Sequence, residues 1–209
     1  MPTKTFYNLP QEKKKKLLEA IQSELSRVPF ADISINRIVQ QANIARGSYY
    51  QYFESKDDLF ELALTDYREL IQERSKECLL KNGGDIFITI ENALDATVDY
   101  CMHEERRAMF VNLFSHLRVR DTIVYKQKCG MLMMPEMMEL IQFVNMETLT
   151  FRDKEKFMSA LEILLSLFRA QVAEVFANPE SAEDCKQRFH EKIEILQHGM
   201  IACCIEGDL

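Results

Sequence analysis

The sequence predicts an all-α protein, with a small N-terminal domain of three helices followed by a larger helical body. Three observations carry that reading. Glycine and proline together number eleven among 209 residues, about half of average usage. Folds of many short strands need a turn roughly every 8–12 residues, and this chain lacks the residues to make them. Apolar residues instead recur at spacings of three and four over long stretches, the signature of a buried helical face. The few breaks fall between those stretches and cut the chain into helix-length segments. Hydrophobic residues at 47% and charged residues at 28% are an ordinary globular balance, which excludes wholesale disorder.

Pro10 fits the first turn of the first helix, where its missing N–H leaves nothing unpaired. Leu17, Leu18, Ile21, Leu25 and Val28 then share one face, and Pro29 ends the helix. Ser34 is placed to cap the second helix with its hydroxyl. Ile35, Ile38, Val39 and Ala42 follow at i, i+3, i+4 and i+7. Asn43 breaks this short helix, because asparagine tolerates the left-handed conformation that a tight helix–helix turn requires. A third helix runs from near Ala45 to about Phe53. Ser55 reads as the next N-cap, with Asp57 and Asp58 complementing the helix dipole. From Lys56 the spacing predicts one long helix, with Leu59, Phe60, Leu62, Ala63, Tyr67, Leu70 and Ile71 inward. Gly83-Gly84 stops it.

Further helices are expected at about 86–103, 105–118 and 121–142, with Pro135 breaking or kinking the last. Phe157, Leu161, Leu164, Leu165, Phe168, Val172, Val175 and Phe176 then make one apolar stripe, which Asn178-Pro179 ends. Cys185, Phe189, Ile193, Leu196, Met200 and Cys203 make another. Two long helices at about 154–177 and 181–205, joined by a short loop, form an antiparallel hairpin. The stripes are wide enough to cover the subunit's own core and to face a second copy. Two such hairpins close into a symmetric four-helix interface. The simpler alternative is that both helices only cover the monomer core.

The net charge of −7 hides an asymmetry. Residues 1–53 carry eight Lys/Arg against four acids, a surplus of four; the remainder carries eighteen against twenty-nine, a deficit of eleven. A basic module on an acidic body points to a polyanion partner for the N-terminal part. No apolar run approaches the ~20 residues of a membrane span. The segment Met1 to Lys16 lacks the apolar stretch of a secretory signal. The six cysteines form no C-x-x-C pair. Reduced thiols in a cytoplasmic protein are the simplest expectation.

Three helices, the latter two short and joined by a tight turn, describe a helix-turn-helix. Its chemistry concentrates on the third helix. The Arg46 guanidinium can bond a guanine edge bidentately or grip a phosphate. Gly47 lets the helix N-terminus sit close to a groove, and Ser48 adds a hydroxyl. Tyr49, Tyr50 and Tyr52 bring amphipathic rings to where phosphates or thymine methyls would lie. Lys56 and the next helix N-terminus form an anion site. The alternative is a buried tyrosine cluster, and Phe53 with at least one of the three tyrosines is expected in the core.

Residues 10–64 resemble the DNA-binding domain of the TetR (TetR/AcrR) family of bacterial regulators. The matching residues are Ile38 through Ala42, the turn Asn43-Ile44, Gly47-Ser48-Tyr49-Tyr50, Tyr52-Phe53 and Ser55-Lys56-Asp57-Asp58-Leu59. Asn43 departs from the family's usual turn glycine, and Asn36-Arg37 falls where the family varies. The resemblance implies Arg46, Gly47 and Tyr49 near base edges. It implies Ser34, Ser48, Tyr50, Tyr52 and Lys56 on phosphates, and Asn36 as a contact of either kind. The lysines at 13–16 either reach phosphate or the minor groove or form a solvated face.

The resemblance further implies a DNA-binding domain at 1–55 and a helical effector-binding and dimerisation domain at 56–209. Such a protein is a nucleoid-associated, ligand-responsive regulator, chiefly a repressor. It binds a pseudo-palindromic operator as a homodimer and is released by a small, mainly apolar effector. Candidate effector contacts are Tyr100, Met109, Phe110, Phe114 and Met134, the last within a methionine-rich run from Met131 to Met138. Methionine adapts to varied apolar shapes; the alternative is ordinary core. Cys101 and His103 are neighbours on one helix and diverge, which disfavours a shared metal. His190 and His198 lack a third ligand. No phosphate loop, G-x-S-x-G or H-E-x-x-H occurs, so neither catalysis nor a cofactor is expected. The competing readings are a helical adaptor that does not bind DNA and a thiol- or metal-sensing regulator.

Overall fold

The computed structural model describes residues 2–114, 139–150 and 153–199. Among them every regular element is helical, in the order the sequence predicts. We label them α1 (Lys4–Tyr7), α2 (Gln11–Arg27), α3 (Ile35–Gln41), α4 (Arg46–Tyr52), α5 (Asp57–Ala63), α6 (Thr65–Lys81), α7 (Ile86–Met102), α8 (Glu104–Phe114), α9 (Lys154–Ala177) and α10 (Ala182–His198). Short 3-10 turns lie at Phe30–Asp32, Glu139–Phe143, Met146–Thr148 and Pro179–Ser181. The bulk of the expected helix at 121–142, with Pro135, lies outside the described residues, as do Met200, Cys203 and Cys204. Glu139–Phe143, expected as the end of that helix, is a 3-10 turn.

The small domain closes around Leu17, Ile21 and Leu25 of α2, Ile38 and Val39 of α3, and Phe53, all buried. Sequence periodicity misses α1, because a four-residue helix offers no repeat to read. Its anchor is Phe6, fully buried with its ring 5.3 Å from that of Phe53. Thr3 completes the clamp: its N–H donates to the Tyr52 carbonyl (2.9 Å) and its hydroxyl to the Gln51 carbonyl (2.6 Å).

Two expected caps are made differently. Ser34 holds the N-cap position of α3 without a side-chain bond; instead its N–H donates to Glu24 Oε1 at 2.9 Å. Ser55 does not cap α5, whose N-cap is Lys56. There the Asp58 carboxylate accepts from the N–H groups of Glu54 (2.7 Å) and Ser55 (3.3 Å). The single long helix expected from Lys56 divides at Leu64 into α5 and α6. Side chains compete for the last carbonyls of α5: the Glu61 carbonyl accepts from Thr65 Oγ1 (3.2 Å) and Arg68 Nη2 (2.9 Å). Arg68 also pairs with the Glu61 carboxylate at 2.8 Å.

In the body, α7 packs against α6, α8, α9 and α10. Tyr67, Tyr100, Phe110 and Phe176 form an aromatic centre, with Phe110 and Phe176 stacked at 4.6 Å. The hairpin of α9 and α10 buries the predicted stripes, Phe157 through Phe176 and Cys185 through Ile193, with Leu165 half-buried and Leu196 left exposed. α8 joins the two parts of the molecule. It packs on α2, and the Asn112 side chain donates to the carbonyls of Leu25 (3.0 Å) and Ser26 (2.9 Å). Those carbonyls close α2, where the backbone has no intrahelical donor to offer. No helix of the described residues is long and apolar enough to cross a membrane.

Candidate nucleic-acid interface

Asn43 makes the turn of the helix-turn-helix. Its φ of 53° lies in the left-handed region, the single such non-glycine residue described, and asparagine adopts it at modest cost. The Ile44 N–H returns to the Val39 carbonyl at 3.0 Å, which fixes where α4 begins.

A helix of two turns has room for one buried face and one exposed face. On α4, Tyr49 and Phe53 are four residues apart and take the buried face, with ring centroids 5.0 Å apart. Arg46 and Tyr50 share the exposed face at the same spacing, and Arg46 Nη2 lies 3.4 Å from the Tyr50 hydroxyl. Tyr50 is 51% exposed and Tyr49 only 1%. Tyr49, expected near base edges, instead takes the buried face of α4 beneath Arg46 and Tyr50. Its hydroxyl has no hydrogen-bond partner, and burial pushes the phenol far above its ordinary range.

Gly47 is exposed, and a Cβ there would meet nothing within 4 Å. Among the described residues, packing places no demand for glycine at this point. Ser48 and Tyr52 are half-buried beside it, and Asn36 is exposed on α3. Lys56 is half-buried, its ammonium donating to the Ala31 carbonyl at 3.2 Å. Of the lysine run, Lys13, Lys15 and Lys16 are exposed. Lys16 pairs with Glu12 (2.9 Å) and Lys15 with Glu19 (4.0 Å), while Lys14 sits 5.3 Å from the ring centroids of Phe6 and Tyr7.

Sequence reasoning missed Glu24. It is buried on α2 and accepts from Arg27 Nε and Nη2 at 2.9 and 2.8 Å. Arg37 of α3 approaches at 3.4 Å, and Ser34 donates its N–H. The Arg27 guanidinium holds the Glu24 carboxyl below its ordinary range, against the opposing effect of burial. This one carboxylate ties α2 to the start of α3. The i, i+3 pair with Arg27 was legible; the reach to α3 was not.

The candidate effector contacts fall in two groups. Met134 and the side chain of Phe114 lie outside the described residues. Tyr100, Met109 and Phe110 are buried, with Tyr100 and Phe110 inside the aromatic centre. An apolar cavity of about 70 Å³ lies elsewhere, between α6, α7, α9 and the 139–144 segment. Leu79, Ile90, Leu140, Ile141, Leu165 and Phe168 line it together with Ser75. Tyr100, Met109 and Phe110 are not among its described lining residues. The position of this space depends on the 139–144 segment, which local periodicity cannot place.

Among the described residues no group of three or more His, Cys, Asp and Glu is placed to hold a metal ion. Cys101 is fully buried, and burial pushes its thiol far above the ordinary range. His190 pairs with Glu91 at 2.6 Å.

Residues 17–63 match the family model described as bacterial regulatory proteins, tetR family. Residues 85–200 match that of the tetracyclin repressor-like C-terminal domain. An uncharacterized HTH-type transcriptional regulator of Bacillus subtilis, YdgC, is 35% identical over 72 residues, which are 34% of this chain. The match spans only 37% of that relative's length. Among solved structures, a tetR-family transcriptional regulator from Streptomyces coelicolor aligns with a TM-score of 0.56 at 15% identity, over 91% of this chain and 83% of its own. A TetR regulator from Rhodococcus sp. RHA1 aligns at 0.54 and 15% identity, over 92% and 98%. At such identities the likeness is one of fold. The C-terminal family model alone covers more than half of the sequence, and the chain belongs to the TetR family of transcriptional regulators.

Proposed function

We propose that this chain is a ligand-responsive repressor that binds a pseudo-palindromic operator as a homodimer. The observation that carries the reading is the outward face of α4, where Arg46, Gly47 and Tyr50 stand exposed behind the left-handed Asn43 turn. Arg46 and Gly47 lie against base edges. Ser34, Ser48, Tyr50, Tyr52 and Lys56 take phosphates, and Asn36 takes either. The DNA-binding domain is residues 1–55 and the effector-binding and dimerisation domain 56–209. The protein works in the cytoplasm on the nucleoid, and no catalytic role is assigned to it.

Dimerisation runs through α9 and α10. Ile163 is 53% exposed and Ile195 51%, with Leu196 exposed beside them. These apolar side chains crown helices whose opposite faces are already buried, which supports a second copy as their cover. A twofold pair presents two α4 helices to half-sites ~34–36 Å apart, or multiples of that distance. A small, mainly apolar effector in the α6–α7–α9 cavity releases DNA to the extent that it prefers the incompetent state.

Selection from a random duplex DNA library at near-physiological salt tests the reading. An enriched inverted repeat is expected, with half-site spacing that fits a dimer. Enrichment of no sequence would discard the repressor reading in favour of a helical adaptor.

A further inference from the structure

The apolar cavity contains one polar atom that the protein leaves unused. Ser75 of α6 lines the cavity, is 1% exposed, and its Oγ is buried without a hydrogen-bond partner. A helical serine commonly returns its hydroxyl to the carbonyl one turn back; this one does not. The other hydroxyl in the wall is satisfied. Thr89 Oγ1 donates to the Asp85 carbonyl (2.6 Å) and accepts from Asn82 Nδ2 (3.1 Å). No described lining residue carries a charge.

We infer that the cavity takes an uncharged ligand with a slim alkyl body and one hydrogen-bonding oxygen, which pairs with Ser75 Oγ. The inference rests on the effector reading above and gives that effector a chemical class. An ionised head group would be desolvated here without a counter-charge from any described lining residue, which is unfavourable. A pure hydrocarbon would leave the Ser75 hydroxyl unsatisfied. Size narrows the class further. The space of about 70 Å³ is about half of the ~150 Å³ apolar cavity that accepts benzene in an engineered protein. A body of about two carbon atoms fits this space, and a ring does not.

The test titrates ethanol and the hydroxyl-free chloroethane, which are similar in length and small enough for the space, into the full chain labelled at isoleucine δ-methyl groups. NMR shifts at Ile86, Ile90 and Ile141, all in the cavity wall, locate the probe. The affinity of ethanol relative to chloroethane is expected to be about fivefold higher in wild type than in Ser75→Ala, the effect of one hydrogen bond near 1 kcal/mol. Ser75→Ala is expected to retain binding of both probes. Its unliganded Tm should rise, because an unpaired buried hydroxyl is removed. An affinity ratio of the two probes that is the same in wild type and in Ser75→Ala, or a lower Tm in the variant, overturns the pairing and leaves the effector cavity standing. Failure of both probes to move any of the three signals overturns the pairing and the cavity's effector role together.

Discussion

Gly84 fixes the wall of that cavity, and substituting it separates two physical effects. The residue has φ +86°, and an added Cβ would lie 2.5 Å from the Asn145 nitrogen and 2.7 Å from the Phe143 carbonyl oxygen. The Asn145 N–H also donates to the Gly84 carbonyl at 2.9 Å. The neighbouring Gly83 has a similar φ of +73°, yet a Cβ there meets nothing within 4 Å. Gly83→Ala therefore reports only the left-handed backbone, a cost of about 1–2 kcal/mol. Gly84→Ala carries the same strain plus overpacking against backbone, about 1–3 kcal/mol more. A chain of this size loses about 2–4 °C of Tm per kcal/mol. Thermal melts by circular dichroism should place Gly83→Ala about 2–8 °C below wild type and Gly84→Ala about 4–20 °C below. Equal melting temperatures for the two variants would show that the 139–144 segment does not press on Gly84, and would refute this account of the cavity wall.

Four further outcomes are expected. Arg46→Ala should relax base preference at one operator position and cost ~1–3 kcal/mol where it reads a guanine; an unchanged preference would remove that role. Lys56→Ala should weaken all sequences alike and lower the salt slope by about one unit, and a slope equal to wild type would strike it from the phosphate contacts. Glu24 has a carboxyl held below its ordinary value of 4.5. Its stabilising effect is thus present above that pH and lost as pH falls through the folded value. The Tm gap between wild type and Glu24→Gln should close on acidification from about pH 7 to about pH 3; a constant gap would deny the ion pair a role. Asn112→Ala deprives two α2 carbonyls of their donor and should cost about 1–3 kcal/mol in urea unfolding, whereas a neutral variant would mean that water replaces the amide.

What was legible in the sequence was local. Asn43 and Ile44 specify the turn through the conformations their own backbones tolerate, so the start of α4 could be placed without tertiary information. The choice between Tyr49 and Tyr50 was also within reach. Phe53 was expected in the core, and Tyr49 stands one helical turn before it on the same face. The family resemblance pointed the other way, and the face argument wins because a short helix must bury what its neighbours leave apolar. The break at Leu64 was not legible, since it depends on Arg68 and Thr65 reaching back to the Glu61 carbonyl. The cavity was less legible still. Its walls come from α6, α7, α9 and residues 140–144, and no window of sequence holds all four.

These long-range contacts also decide how an effector site could move a DNA-binding helix. α6 carries Ser75 in the cavity wall and Tyr67 in the aromatic centre. Tyr67 meets Phe110 of α8 at 6.2 Å, and Asn112, two residues on, caps the end of α2. One turn before that end, Glu24 holds Ser34 and Arg37 at the start of α3, and the Asn43 turn sets α4 on α3. Each link is a packing contact, an ion pair or a hydrogen bond. Adjacency by itself is not coupling: an effector acts only through contacts that differ between two states. α4 then needs no contact with the effector at all. It has only to ride on α2 and α3, where α2 packs on α8 and accepts two hydrogen bonds from the Asn112 side chain.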